Sequence, residues 1–275
     1  MSFLKLGAIR LYYHEVGQGV PVVFVNGWTN SSEYWMPVVE RLKNTCWCIL
    51  YDMRGFGRSQ PIDELSPLDL DQHADDLHQL ILHLKASDVH IVAHGLGVWV
   101  ATIAARLHPQ DVISLTAVSP EGEPKAQSDI PSIWQQASLI LKDLASVPVL
   151  RNLVAWRFRS APEPFRSKLF EDFAQADRQA SFQLLASCME HERSGRLKKA
   201  LHELQIPVMI VRGSQDSLCP EEEARALFEA ISAGKLATVR GCHHLPMLEF
   251  TKEFSDLLID FICKHSRHHQ LSQTL

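Results

Sequence analysis

Apolar positions in this chain follow two rhythms. One is the short unbroken run: Val20 to Val25, Cys46 to Tyr51, Val89 to Ala93, Ile113 to Val118, Ile206 to Val211 and Leu236 to Val239. Such runs, lacking polar alternation, predict strands buried on both faces, as in a parallel sheet. The other rhythm steps by three and four, clearest at Leu70, Ala74, Leu77, Ile81 and Leu84, and lays one apolar stripe along a helix. Gly97 to Leu107, rich in alanine and valine, predicts another helix directly after a strand. Strand and helix patterns that trade places along a chain predict crossover connections, hence an α/β fold. Ahead of the first run, Ile9 to Tyr13 and the Gly17-Gln18-Gly19 turn predict an antiparallel edge hairpin.

The alternation stops at about Gly122 and resumes after Leu201. Ile133 to Leu144, Pro164 to Phe173 and Phe182 to His191 have amphipathic helical patterns. They predict a helical cap over 122–201, set between core segments 1–121 and 202–264, with a polar tail over 265–275.

Composition narrows the class. With 275 residues, 46% hydrophobic and 21% charged, the chain can build a sizeable core. A net charge of −5 and the absence of a basic stripe argue against a nucleic-acid partner. No run approaches the roughly 18 apolar residues of a membrane span, and the N-terminus lacks a signal-peptide pattern. Six cysteines show neither a disulfide framework nor zinc spacing, which fits a reducing cytoplasm. Asp71, His73, Asp75, Asp76, His78 and His83 crowd one helical segment, but they spread around its polar side and are expected to be solvated. No cofactor and no metal are expected; a small-molecule substrate and a monomer or homodimer are.

Four segments fall at the ends of predicted strands, where open α/β sheets place their ligands. They are Asn26-Gly27-Trp28; Asp52-Met53-Arg54-Gly55-Phe56-Gly57-Arg58-Ser59; Val92-Ala93-His94-Gly95-Leu96-Gly97-Val98; and a last pair, Arg212 to Asp216 with Gly241-Cys242-His243-His244-Leu245-Pro246. In this order they resemble the α/β-hydrolase superfamily, over roughly residues 5–120 and 202–264. The resemblance implies an α/β-hydrolase fold, with a mostly parallel eight-stranded sheet flanked by helices. It implies an oxyanion hole from the backbone N–H groups of Trp28 and Leu96, a catalytic acid at Asp216 and a catalytic base at His244. The second segment is expected to be structural, its acidic and basic pair and its glycines tying down a loop. His94 is expected to pack beside the elbow, and Glu121 sits where some members keep an alternative acid.

The elbow departs from the family pattern Gly-x-Ser-x-Gly: the nucleophile position holds Gly95, which has no side chain to attack with. Asn26 also replaces the usual histidine. Three readings stay open. A His244–Asp216 dyad could activate water or a substrate proton directly, as the resemblance to aminoacrylate hydrolases and cofactor-independent dioxygenases of this fold suggests. Glycine could stand where the natural residue is serine. Or the chain could be an inactive binder. Trp99 and Trp134 are the expected substrate-lining residues, and the cap's leucines and tryptophans predict a small hydrophobic substrate, with ester, thioester, amide, imine and C–C bonds all open.

Overall fold

Alternate residues of the central strands leave the sheet on opposite sides, and both sides are covered. A computed structural model describes residues 2–7, 9–59, 68–121 and 159–266. The strands are β1 Ser2–Leu6, β2 Ile9–Gly17, β3 Val20–Val25, β4 Cys46–Tyr51, β5 Val89–His94, β6 Val112–Val118, β7 Val208–Gly213 and β8 Gly234–Val239. They form one eight-stranded sheet in the order β1-β2-β4-β3-β5-β6-β7-β8. The pairings from β4 through β8 are parallel, and β1–β2 and β2–β4 are antiparallel.

On one face Val23, Val25, Ile91, Ala93 and Leu115 pack with helices α2 Leu70–His83 and α3 Gly97–Leu107. On the other, Val22, Phe24, Val92, Met209 and Val211 pack with α1 Met36–Leu42 and, near the C-terminus, Thr251–His265. Two covered faces explain the unbroken apolar runs. Helix α2 starts where Asp69 caps it, its carboxylate accepting the Gln72 N–H at 2.9 Å.

Residues 159–203 contribute α4 Phe165–Gln175, α5 Arg178–Arg193 and α6 Arg196–Glu203. The first two lie on the loops after β3 and β4, and α6 packs against α3 and α5. Asp172 accepts the Ser31 N–H at 2.8 Å and its hydroxyl at 2.6 Å, Ser181 O accepts the Trp28 indole N–H, and Asp177 N–H donates to Gly55 O. The expected helix 133–144 lies outside the described residues. Helices α7 Glu221–Glu229, α8 Pro246–Glu249 and α9 Thr251–His265 complete the core, and no helix among the described residues is long and apolar enough to cross a membrane.

Three expectations are corrected. The edge hairpin is β1–β2, turning at Gly7, whereas Gly17 to Gly19 leads to β3, which never pairs with β2 because β4 lies between them. The last apolar run, in β8, is an edge strand with partly exposed residues. The polar face of α2 is not uniformly solvated: His73 and Asp76 are each 1% exposed. Asp76 receives two hydrogen bonds of 2.6 Å from Arg54, and His73 stacks on Phe56.

Candidate functional site

The loops after β3, β5, β6, β7 and β8 meet at the strands' C-terminal ends. At the β5–α3 turn Gly95 has φ +54, a region that favours glycine, and its N–H is held by Val118 O at 2.9 Å. A side chain at Gly97 would run into the Asn26 carbonyl, so α3 can approach β3 this closely only with glycine there. Leu96, buried, stands at the N-terminus of α3, where the helix dipole favours negative charge.

Asp216 and His244, 28 residues apart in the chain, are brought together: His244 Nδ1 lies 3.1 and 3.2 Å from the two Asp216 oxygens. The Asp216 carboxylate also accepts the amides of Leu218 at 2.9 Å and Cys219 at 3.2 Å. Burial alone would raise its pKa; the His244 hydrogen bond and charge and the Leu218 amide outweigh it and hold the carboxyl well below the usual range. His244 is therefore given an ionised partner that fixes Nδ1 as the donor and turns Nε2 toward the elbow. Glu121, just past β6, faces that second nitrogen, with Oε1 3.5 Å from Nε2.

His94 sits beside the turn as expected. Its Nε2–H donates to the His244 carbonyl at 3.1 Å, which leaves Nδ1 to accept from the Tyr34 hydroxyl at 3.3 Å; the other tautomer would set a lone pair against a carbonyl. Tyr34 in turn accepts the Gly27 N–H at 2.7 Å. One chain of hydrogen bonds thus ties the Gly27-Trp28 loop, the Gly95 turn and the His244 loop into one unit. Burial, then the nearby His244 charge, pushes His94 down to about 3, so it serves as a neutral strut.

Trp28 is half-buried, packing edge-on against Phe173, its side chain anchored to Ser181. Trp99 is buried with its indole N–H donated to Glu121 O at 2.9 Å, so its polar edge is committed to holding Glu121. Trp134 lies outside the described residues. Asp52 and Arg54 tie down their loop as expected, although not with each other. Asp52 accepts the amides of Ser32 at 2.7 Å and Arg58 at 2.9 Å, Arg54 reaches Asp76, and Ser59 bridges Tyr12 N–H and Asp52 O.

Among the described residues one group could hold a metal: His78, His108 and Asp111, near the opposite ends of the strands. The two imidazoles are parallel, 1° and 3.4 Å apart, so their in-plane lone pairs run side by side and do not converge on one ion. All six cysteines are free thiols.

Sequence reasoning missed Tyr34 and the direction in which Glu121 points. Tyr34 lies in a 3₁₀ turn, Ser32–Trp35, that carries no periodic signal. For Glu121 a signal existed. Gly95 carries no reactive side chain, which makes an ionisable residue just past the neighbouring strand, Glu121, the one to weigh.

Residues 22–257 match the family described as the alpha/beta hydrolase family. The chain is 25% identical over 257 residues to a pimeloyl-[acyl-carrier protein] methyl ester esterase of Yersinia pseudotuberculosis, covering 92% of this chain and 97% of that one. Its fold is similar to a thermophilic esterase from Thermogutta terrifontis, at a TM-score of 0.81 and 22% identity, covering 97% of this chain and all of the other. An esterase from Exiguobacterium antarcticum aligns at a TM-score of 0.82 and 18% identity, over 95% and 98% of the two chains.

Proposed function

We propose that this chain, which belongs to the alpha/beta hydrolase family, hydrolyses a small ester or similarly activated carbonyl compound without a side-chain nucleophile at its elbow. Gly95 takes the position the family gives to serine, and water replaces the hydroxyl. His244, set by Asp216, moves the protons, while the backbone N–H groups of Trp28 and Leu96 hold the oxygen that becomes negative. The observation that carries this reading is the His244–Asp216 contact at 3.1 Å, with Nε2 turned toward an elbow that has kept its positive φ. A buried carboxylate committed to orienting an imidazole is a costly feature for a protein that only binds, which sets the inactive-binder reading behind this one. The esterase names among the relatives support carbonyl hydrolysis over dioxygenase or C–C chemistry.

The test is the rate of p-nitrophenyl acetate hydrolysis. His244→Ala is expected to lose about 10²–10⁴-fold in kcat. Asp216→Asn should lose less, though at least about tenfold, because the ring keeps its place and loses the partner that selects its tautomer. A His244→Ala rate equal to that of the native chain would end the dyad reading.

A further inference from the structure

A side chain at residue 95 would crowd a neighbouring carboxylate. A Cβ built on Gly95 would have Glu121 Oε1 as its nearest neighbour, at 3.2 Å, and then Glu121 Cδ and Cγ. The same Oε1 is 3.5 Å from His244 Nε2, on the far side of the ring from Asp216. Its placement is built in: the Glu121 carbonyl accepts the indole N–H of Trp99, which sits in the first turn of α3 just past the elbow. The absent side chain at residue 95 and the carboxylate above it are therefore complementary parts of one arrangement.

From this geometry we infer that Glu121 is a second catalytic group of the site, the base for the attacking water, with His244 the acid for the leaving group. This rests on the hydrolytic reading above. With Nδ1–H given to Asp216, a neutral ring would turn the Nε2 lone pair against an ionised Glu121. A proton placed on Nε2, with Glu121 as carboxylate 3.5 Å away, turns that repulsion into attraction.

The cycle then balances. A water attacks the carbonyl carbon as Glu121 takes one of its protons, and a C–O bond forms. The tetrahedral oxyanion, held by backbone N–H groups, collapses and the bond to the leaving oxygen breaks. That oxygen leaves with the proton from His244 Nε2. Glu121 passes its proton across the gap to His244, and the site is reset. One ester and one water have become an acid and an alcohol. A serine at residue 95 would compete with this carboxylate for the same space.

The experiment compares hydrolysis of ethyl acetate, whose alkoxide needs the His244 proton to leave, by the full native chain, Glu121→Gln, Glu121→Ala and His244→Ala. Glu121→Gln keeps size and hydrogen bonding and removes the base, so kcat should drop about 10²-fold while KM stays within about threefold. Glu121→Ala should drop as far and regain rate with added formate, a carboxylate small enough for the vacated space. A Glu121→Gln rate equal to native, or a Glu121→Ala loss that formate leaves unchanged, would overturn the inference. If His244→Ala is inactive while Glu121→Gln is fully active, this inference alone fails; if His244→Ala is active, the dyad reading fails first. A second measurement needs no substrate. The nitrogen NMR signal of His244 Nε2 should move between the native chain and Glu121→Gln, and identical spectra would refute the pairing.

Discussion

Two regions of this molecule bury charge, and they do so to opposite ends. In the loop from Asp52 to Ser59, acceptors meet donors one for one: Arg54 with both Asp76 oxygens, Asp52 with the amides of Ser32 and Arg58, Ser59 with Tyr12 and Asp52. At His244, two carboxylates converge on one imidazole, and they differ from each other. The Asp216 side chain is fully buried and held by two amides, whereas Glu121 is 22% exposed. A matched network fixes geometry; a ring between a locked carboxylate and a more open one is, under the proposed hydrolysis, the group with a proton to move.

The largest effect that sharpens this contrast is expected at Arg54. Arg54→Ala leaves the Asp76 carboxylate buried without its forked partner and should cost about 3–5 kcal/mol of folding stability, read as a lower urea midpoint. Arg54→Met with Asp76→Leu should recover most of it. Protein that remains folded should keep its kcat, since this pair only positions a loop. A kcat loss in the folded fraction matching that of His244→Ala would erase the distinction between the regions.

Gly95→Ser probes the other region. Its φ of +54 and the 3.2 Å approach of Glu121 Oε1 both resist a side chain, although the carboxylate is a movable chain end. A cost of about 1–3 kcal/mol is expected. The new hydroxyl should become labelled by a fluorophosphonate probe, while the native chain is not. A folded but unlabelled Gly95→Ser protein would show that the oxyanion donors or the base are misassembled for acyl chemistry.

The smallest effect is a pH dependence. His73, buried with neither ring nitrogen hydrogen-bonded among the described residues, is pushed down from 6.5 to about 3, first by burial and then by Arg54. His94 is pushed down to about 3 as well. Between those values the unfolded chain binds protons that the folded chain refuses. Their stabilisation is thus complete above about pH 6.5 and is lost as pH falls toward 3, by at most about 1.4 kcal/mol per pH unit for each. His73→Phe should flatten part of that slope in urea unfolding between about pH 7 and about pH 5. An unchanged slope would mean that His73 takes up its proton in the folded state.

Likeness to a family implied the order of loops and the pairing of Asp216 with His244; the sequence by itself determined the periodicity and its consequences, strands buried on both faces and crossover helices. These are local patterns repeated often enough to be unambiguous. It also determined the absence of a side chain at Gly95. The tertiary structure alone decided which buried charges answer each other. Arg54 reaches 22 residues onward to Asp76 and leaves nearby Asp52 to backbone amides, and Asp76 sits on a helix face that looked solvated. It decided that Tyr34 joins Gly27 to His94, a link between a 3₁₀ turn and a strand end that no spacing encodes. And it decided the direction of Glu121, because a side chain at a strand end takes its orientation from the neighbours that close over it, here Trp99, Gly95 and His244.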